Sequence, residues 1–149
     1  MKIVIQRCKE ASVTIDNKIY SQIALGMVLL VSFEIGDTID DVNYCANKIA
    51  KLRIFEDENQ KINKNIFDVN GQILSISQFS LYGDLIKGNR PSFTKCLDAA
   101  SANELYLKFN QKLLQLGLDV SSGVFQANMD VYLINDGPLT FILESRDKK

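Results

Sequence analysis

The chain has 149 residues, 46% of them hydrophobic and 23% charged, which suits one soluble domain with a proper core. Its 17 basic and 18 acidic residues give a net charge of −1, which argues against indiscriminate nucleic-acid binding but permits a local basic patch. Histidine is absent, and with it Ser–His and Cys–His nucleophile pairs, imidazole zinc sites and the usual general base near neutral pH. An enzyme built from this chain must use carboxylates, backbone dipoles or groups carried by its substrate.

From the N-terminus, Lys2 to Cys8 alternates as a strand, too strictly and charged too soon for a signal peptide. Ala11 to Ile15 reads as a second strand, and Asp16-Asn17-Lys18 as the turn into Ile19 to Ile23. Gly26 precedes Met27 to Val31, a continuous apolar run expected of a buried central strand. Thr38 can cap a helix with Ile39, Val42, Cys45 or Ala46, Ile49 and Leu52 at helical spacing, ending near Arg53. The Asn70-Gly71 turn introduces a strand from Gln72 to Leu81, followed by a loop from Gly83 to Phe93. Ser101-Ala102-Asn103-Glu104 has the form of a capping box, opening a helix with Ala102, Leu105, Phe109, Leu113 and Leu116 on one face and Gly117 as its stop. Leu118 to Phe125, Met129 to Asn135 and Leu139 to Ser145 close the chain as strands.

Two main helices and seven or eight strands imply an α+β fold, a single domain over 1–149 with a largely antiparallel, barrel-like sheet. No apolar run approaches the roughly 18 residues that span a bilayer, so no membrane partner is expected. Cys8, Cys45 and Cys96 are odd in number and widely spaced, which suggests neither a disulfide framework nor a metal site. A cytoplasmic protein without cofactor is the expectation.

Three segments could carry chemistry. Leu74 and Ile76 share a strand face that Gln78 and Ser80 continue, so the segment is either a strand emerging into solvent or the polar floor of a pocket. From Asp84 to Lys95 the local charge is +2 (Lys87, Arg90 and Lys95 against Asp84), with Phe93 alongside; this is a solvated loop or a phosphate contact. Asn135-Asp136-Gly137-Pro138-Leu139-Thr140 reads on its own as a tight hairpin turn, with a proline that cannot donate to a ladder. Its Gly-Pro bond is free to be cis, because the tertiary amide lowers the trans preference to about 0.5–1 kcal/mol. Phe125 and Met129, read alone, are core residues, although they could face a planar ligand.

Together, Gln6-Arg7, Ser77-Gln78-Phe79-Ser80-Leu81, Gly88-Asn89-Arg90-Pro91-Ser92-Phe93, Phe125 with Met129, and Asn135 to Thr140 resemble the D-aminoacyl-tRNA deacylases over essentially the full chain. The resemblance implies hydrolysis of the ester between a D-amino acid, or glycine, and the 3′-terminal adenosine of tRNA. It also implies a homodimer whose Gly137-Pro138 dipeptide, joined by a cis bond, enters the partner's active site. By the same resemblance the Gly137 and Pro138 carbonyls hold the substrate ammonium and Arg7 fixes their loop. Ser77, Gln78, Phe79 and Ser80 form the catalytic wall, with the Phe79 amide on the oxyanion, and Phe125 and Met129 flank the adenosine. The terminal 2′-hydroxyl would help activate water, so Ser80 need not be a nucleophile. Two positions depart from the family: Ser80 stands where threonine is usual, and Gln126 where glycine is common. The alternatives are a related editing deacylase acting on L-aminoacyl or mischarged tRNA, and a non-catalytic RNA-binding module.

Overall fold

The computed structural model describes residues 1–147. Its strands are β1 (Lys2–Ile15), β2 (Lys18–Ile23), β3 (Gly26–Ser32), β4 (Phe55–Glu56), β5 (Ile62–Lys64), β6 (Gln72–Ser77), β7 (Asp119–Ser122) and β8 (Asp130–Glu144). Its helices are α1 (Ile39–Lys51) and α2 (Ala99–Gln115), and 3-10 turns cover Phe79–Tyr82 and Ser145–Asp147.

Strand β1 is the spine of the sheet. Its first half pairs with β3, its second half with β2, and its other edge with β8, all antiparallel. The sheet continues through β6 and β7, and both of these pairings are parallel. Strand β2 then returns towards β7, where the Ser21 hydroxyl donates to the Ser122 carbonyl at 3.0 Å, so the sheet is nearly closed as a barrel. Barrel curvature removes sheet edges, and among the described strands of this sheet β8 is the one left outside the closure. A small hairpin, β4–β5, follows α1, with the polar residues Asp57 to Gln60 in its connection.

The side chains divide between two cores. Met27, Leu29, Val31, Ile3, Ile5 and Ile73 face α1 and α2, whereas Val28, Leu74, Ile76, Cys8, Ala11 and Val13 fill the barrel. Thus β3 and β6 are buried on both faces, which accounts for the unbroken apolar run from Met27 to Val31 on β3. On β1 the odd positions Ile3 and Ile5 face the helices, but Ala11 and Val13 face the barrel. The register irregularity between Cys8 and Glu10 produces this reversal and keeps the two expected strands one continuous element.

Other boundaries differ for local reasons. Helix α1 starts as expected, with Thr38 and Asp41 forming a reciprocal capping box. Helix α2 starts earlier than the Ser101 box: Asp98 is the cap, its carboxylate accepting the Ser101 amide at 3.0 Å. Its fully buried residues are Tyr106, Phe109 and Leu113, and Ala102, Leu105 and Leu116 of the expected stripe pack against the same core, so Tyr106 is an addition to that face. Gly117 ends it at φ +91°, in the left-handed region. Strand β6 ends at Ser77, and Phe79 to Tyr82 wind into a 3-10 turn, so Gln78 and Ser80 do not continue the Leu74–Ile76 face. Strand β7 stops at Ser122, short of Phe125.

Candidate active site

Asn135 to Thr140 is not a hairpin turn. Strand β8 runs through it, paired to β1 on both sides, with Gln6 opposite Thr140 and Cys8 opposite Asn135. Residues 136–139 therefore bulge out opposite Arg7 alone. The Gly137-Pro138 bond is cis. Arg7, only 4% exposed, fills the space beneath the bulge. Its Nε donates to the Asp136 carbonyl at 3.0 Å and lies 3.4 Å from the Asp136 carboxylate. Its Nη1 donates to the Ile54 carbonyl at 2.9 Å and its Nη2 reaches Glu56 at 3.5 Å, tying the bulge to β4. Asn135 staples the bulge from inside: its Oδ1 accepts the Leu139 amide at 2.6 Å and its Nδ2 donates to Thr140 Oγ1 at 3.0 Å. Gly137 has φ +136°, and an added Cβ would lie 3.1 Å from the Leu139 nitrogen, so no side chain fits there without strain.

Elsewhere in the chain a cleft of about 560 Å³ opens between the end of β6, the start of α2 and the segment 125–131. Ser77, Gln78, Phe79, Phe125 and Met129 all line it. Ser80 stands beside it on the 3-10 turn, with its Oγ accepting the Gln78 side-chain amide at 2.5 Å. Arg7, Gly137 and Pro138 do not line this cleft; they form the second group just described.

Two peptide planes at the turn are locked from behind. The Gln78 carbonyl accepts the Leu81 amide at 3.3 Å. The Phe79 carbonyl accepts the Ser32 hydroxyl at 3.3 Å and the Cys96 thiol at 3.5 Å. In a trans peptide the N–H points opposite to its carbonyl. The Phe79 and Ser80 amides are therefore held in fixed directions, away from these contacts, and as the first amides of a helical turn they have no intrahelical acceptor. The Gln78 side chain does not cap them. The arrangement is a preorganised pair of donors suited to a developing negative charge. Sequence reasoning passed over Ser32 and Cys96, which are distant in the chain and carry no motif.

The cleft has little acid–base capacity. Among its lining residues Cys96 is the one that titrates, and burial pushes its thiol up. Cys8, inside the barrel, is pushed up to about 11, mainly by burial. The cleft's other wall is built on an aromatic contact: Phe125 packs on Tyr106, with ring centres 6.1 Å apart and planes tilted by 35°. Gln126 lies in this wall with φ +63°, the left-handed region where glycine is at ease. Met129 fits against Gly123, where an added Cβ would come within 2.6 Å of its sulfur. At the rim Phe79, 60% exposed, stacks obliquely on Phe93 at 4.9 Å. The basic loop closes on itself through Asp84 and Ser92, and Lys95 pairs with Asp84 at 3.6 Å, which leaves Lys87 and Arg90 to carry its charge.

Residues 4–144 match the family described as D-Tyr-tRNA(Tyr) deacylase. The chain belongs to that family. A D-aminoacyl-tRNA deacylase of Exiguobacterium sibiricum is 53% identical over 97% of this chain and 99% of its own length. One from Bacillus cytotoxicus is 54% identical over 98% of this chain and its full length. A solved structure of a c-Myc DNA unwinding element binding protein superposes with a TM-score of 0.90 at 36% identity, covering 97% of this chain and 98% of its own. A probable eukaryotic D-amino acid tRNA deacylase superposes at 0.84 over 96% and 98% of the two chains; at 16% identity that likeness is one of fold. The D-Tyr-tRNA(Tyr) deacylase fold thus holds both groups of residues, the cleft and the stapled bulge.

Proposed function

We propose that this chain is a D-aminoacyl-tRNA deacylase, hydrolysing the ester between a D-amino acid and the 3′-terminal adenosine of tRNA. The observation that carries the reading is the pair of locked peptide planes bearing the Phe79 and Ser80 amides, beside a cleft that has an aromatic wall and no base. Membership of the family supports it. An aminoacyl ester is already activated, so orientation and oxyanion stabilisation matter more than a strong base. Phe125 and Met129 flank the adenosine, Ser77 and Gln78 line the acyl wall, and the substrate's own 2′-hydroxyl assists the attacking water. Ser80 shapes the turn and is no nucleophile, since its hydroxyl meets Gln78 and no basic group.

The ammonium-binding carbonyls come from Gly137 and Pro138 of a second copy, each loop held by its own Arg7 and Asn135. Strand β8 supports this assembly. It pairs with β1 alone among the described strands, and it exposes Val131, Tyr132, Ile134, Phe141 and Ile142. Backbone occupying the L side-chain direction excludes L-substrates by clash, while D-side chains of varied size project outward and glycine is accepted. The protein works in the cytoplasm; among the described residues no helix is long and apolar enough to cross a membrane.

The test is release of D-tyrosine and L-tyrosine from separately charged tRNA by the wild type and by Gly137→Ala. Rapid loss of the D-ester alone, slowed by the substitution, is expected. Hydrolysis of both esters would assign the chain to L-directed editing, and hydrolysis of neither to a binding role.

A further inference from the structure

We propose that Tyr106 is a positioning residue of the cleft, fixing the register between its acyl wall and its aromatic wall; the assignment rests on the deacylase reading above. Tyr106 is 2% exposed on the inner face of α2, among the apolar residues Phe109 and Leu113. Its hydroxyl donates to the Ser75 carbonyl at 2.8 Å. That carbonyl also accepts the Gly123 amide at 3.0 Å. Ser75 lies two residues before Ser77 on the acyl wall, and Gly123 two residues before Phe125 on the other. The Tyr106 ring itself packs on Phe125. One side chain therefore touches the supports of both walls, and Ala102, one turn earlier on α2, lines the cleft between them.

The surroundings of the hydroxyl are unusually polar for a helix–sheet interface. Burial raises the phenol's pKa, and contacts with Asn110, Ser75, Ser122 and the Ser77 backbone oppose that rise. Ser75 Oγ and Asn110 Oδ1 are shielded from solvent and have no hydrogen-bond partner among the described residues. An interface serving stability alone would do better with phenylalanine and aliphatic side chains, because unpaired buried oxygens are costly. Local rules are broken in this way where function demands it. Here the demand is the separation of two walls that must hold one substrate at both ends.

Tyr106→Phe keeps the ring on Phe125 and loses the hydroxyl's bond to β6 together with its contacts to Asn110 and Ser122. Adenosine binding should then persist while the ester drifts from the locked amides. For D-Tyr-tRNA the expected result is a fall in kcat of about five- to tenfold, the factor that one lost buried hydrogen bond represents, with KM within about twofold. Para-aminophenylalanine at position 106 keeps a donor and should restore kcat. A second readout is independent of catalysis: the chain has no tryptophan, so Phe125→Trp provides a fluorophore without background. In that background Tyr106→Phe should lower tryptophan anisotropy. A lowered melting temperature with unchanged kcat and unchanged anisotropy would overturn the proposal and leave Tyr106 a stability residue. If the wild type fails to deacylate D-Tyr-tRNA, the functional reading falls, and anisotropy alone then decides whether Tyr106 sets the walls.

Discussion

Asn135 is the residue on which the shape of the bulge most depends after Arg7, and its removal can be worked through. Residues 136–139 have no ladder partners on β1, so side chains supply the bonds that the ladder lacks. Asn135→Ala deletes the acceptor of the Leu139 amide and the donor to Thr140 together. One lost bond is worth about 0.5–1.5 kcal/mol, and a part-buried amide left unpaired raises the cost towards 1–3 kcal/mol. Arg7 still holds the Asp136 end, so the lower half of that range applies. We expect kcat/KM for D-Tyr-tRNA to fall about five- to tenfold, a loss of roughly 1–1.4 kcal/mol. Thr140→Val removes only the exposed Nδ2–Oγ1 bond and should cost about twofold. Single-turnover deacylation, with melting curves as a folding control, measures both. The reasoning is refuted if Asn135→Ala stays within twofold of wild type, or if Thr140→Val costs as much as Asn135→Ala.

Gly26 should be irreplaceable for folding: a Cβ there would lie 1.8 Å from the Gln72 carbonyl, where β3 and β6 meet. Gly26→Ala is expected to yield insoluble or unfolded protein, and a normal melting curve would count against the packing described. Gln126→Gly should raise stability by up to about 1 kcal/mol, because relief of left-handed strain of roughly 1–2 kcal/mol is partly offset by glycine's larger unfolded-state entropy; the urea midpoint measures it, and a decrease contradicts the account. Activity should show no protein ionisation between about pH 6 and 9, where unperturbed histidine and thiols titrate, since the cleft's one titratable side chain, Cys96, is pushed upward. An inflection in that range persisting in a Cys96→Ser variant, beyond the one due to the substrate ammonium, would reveal a group overlooked. Asp98 has its pKa lowered, first by the Ser101 amide it caps, so its stabilisation is present above the unfolded carboxylate value of about 3.9 and is lost as pH falls through the folded value. Asp98→Asn should flatten the acid limb of the melting temperature against pH, and an unchanged limb would remove Asp98 as its source.

The sequence made those features legible that depend on local chemistry. Thr38 with Asp41, Asn70-Gly71 and Gly117 each mark a boundary because their side chains, or lack of one, satisfy a nearby backbone requirement. Taken alone, Asn135 to Thr140 reads as a hairpin because Asp136-Gly137 between apolar runs satisfies the local rule for a turn. What overrides that rule is Arg7, 129 residues away, which fills the interior of the bulge and lets β8 resume its pairing. The burial of Tyr106 on the inner face of α2 has a similar cause. Its hydroxyl finds a carbonyl on β6, a partner that helical periodicity cannot register.

The same division explains why the site could be named from motifs but not built from them. Ser77-Gln78-Phe79-Ser80 reads as a polar end to a strand, yet the role proposed for it rests on amide directions that no side chain in the motif sets. Those directions follow from carbonyls pinned by Ser32, Cys96 and Leu81, and from the end of the β6 ladder at Ser77. A chain without histidine has few ways to concentrate charge stabilisation in a cleft. Fixing backbone dipoles by tertiary contacts is one, and it places the decisive residues on neighbouring strands and loops. Ser32→Ala should therefore reduce kcat more than KM, although the hydroxyl contacts the Phe79 carbonyl and neither of the two amides.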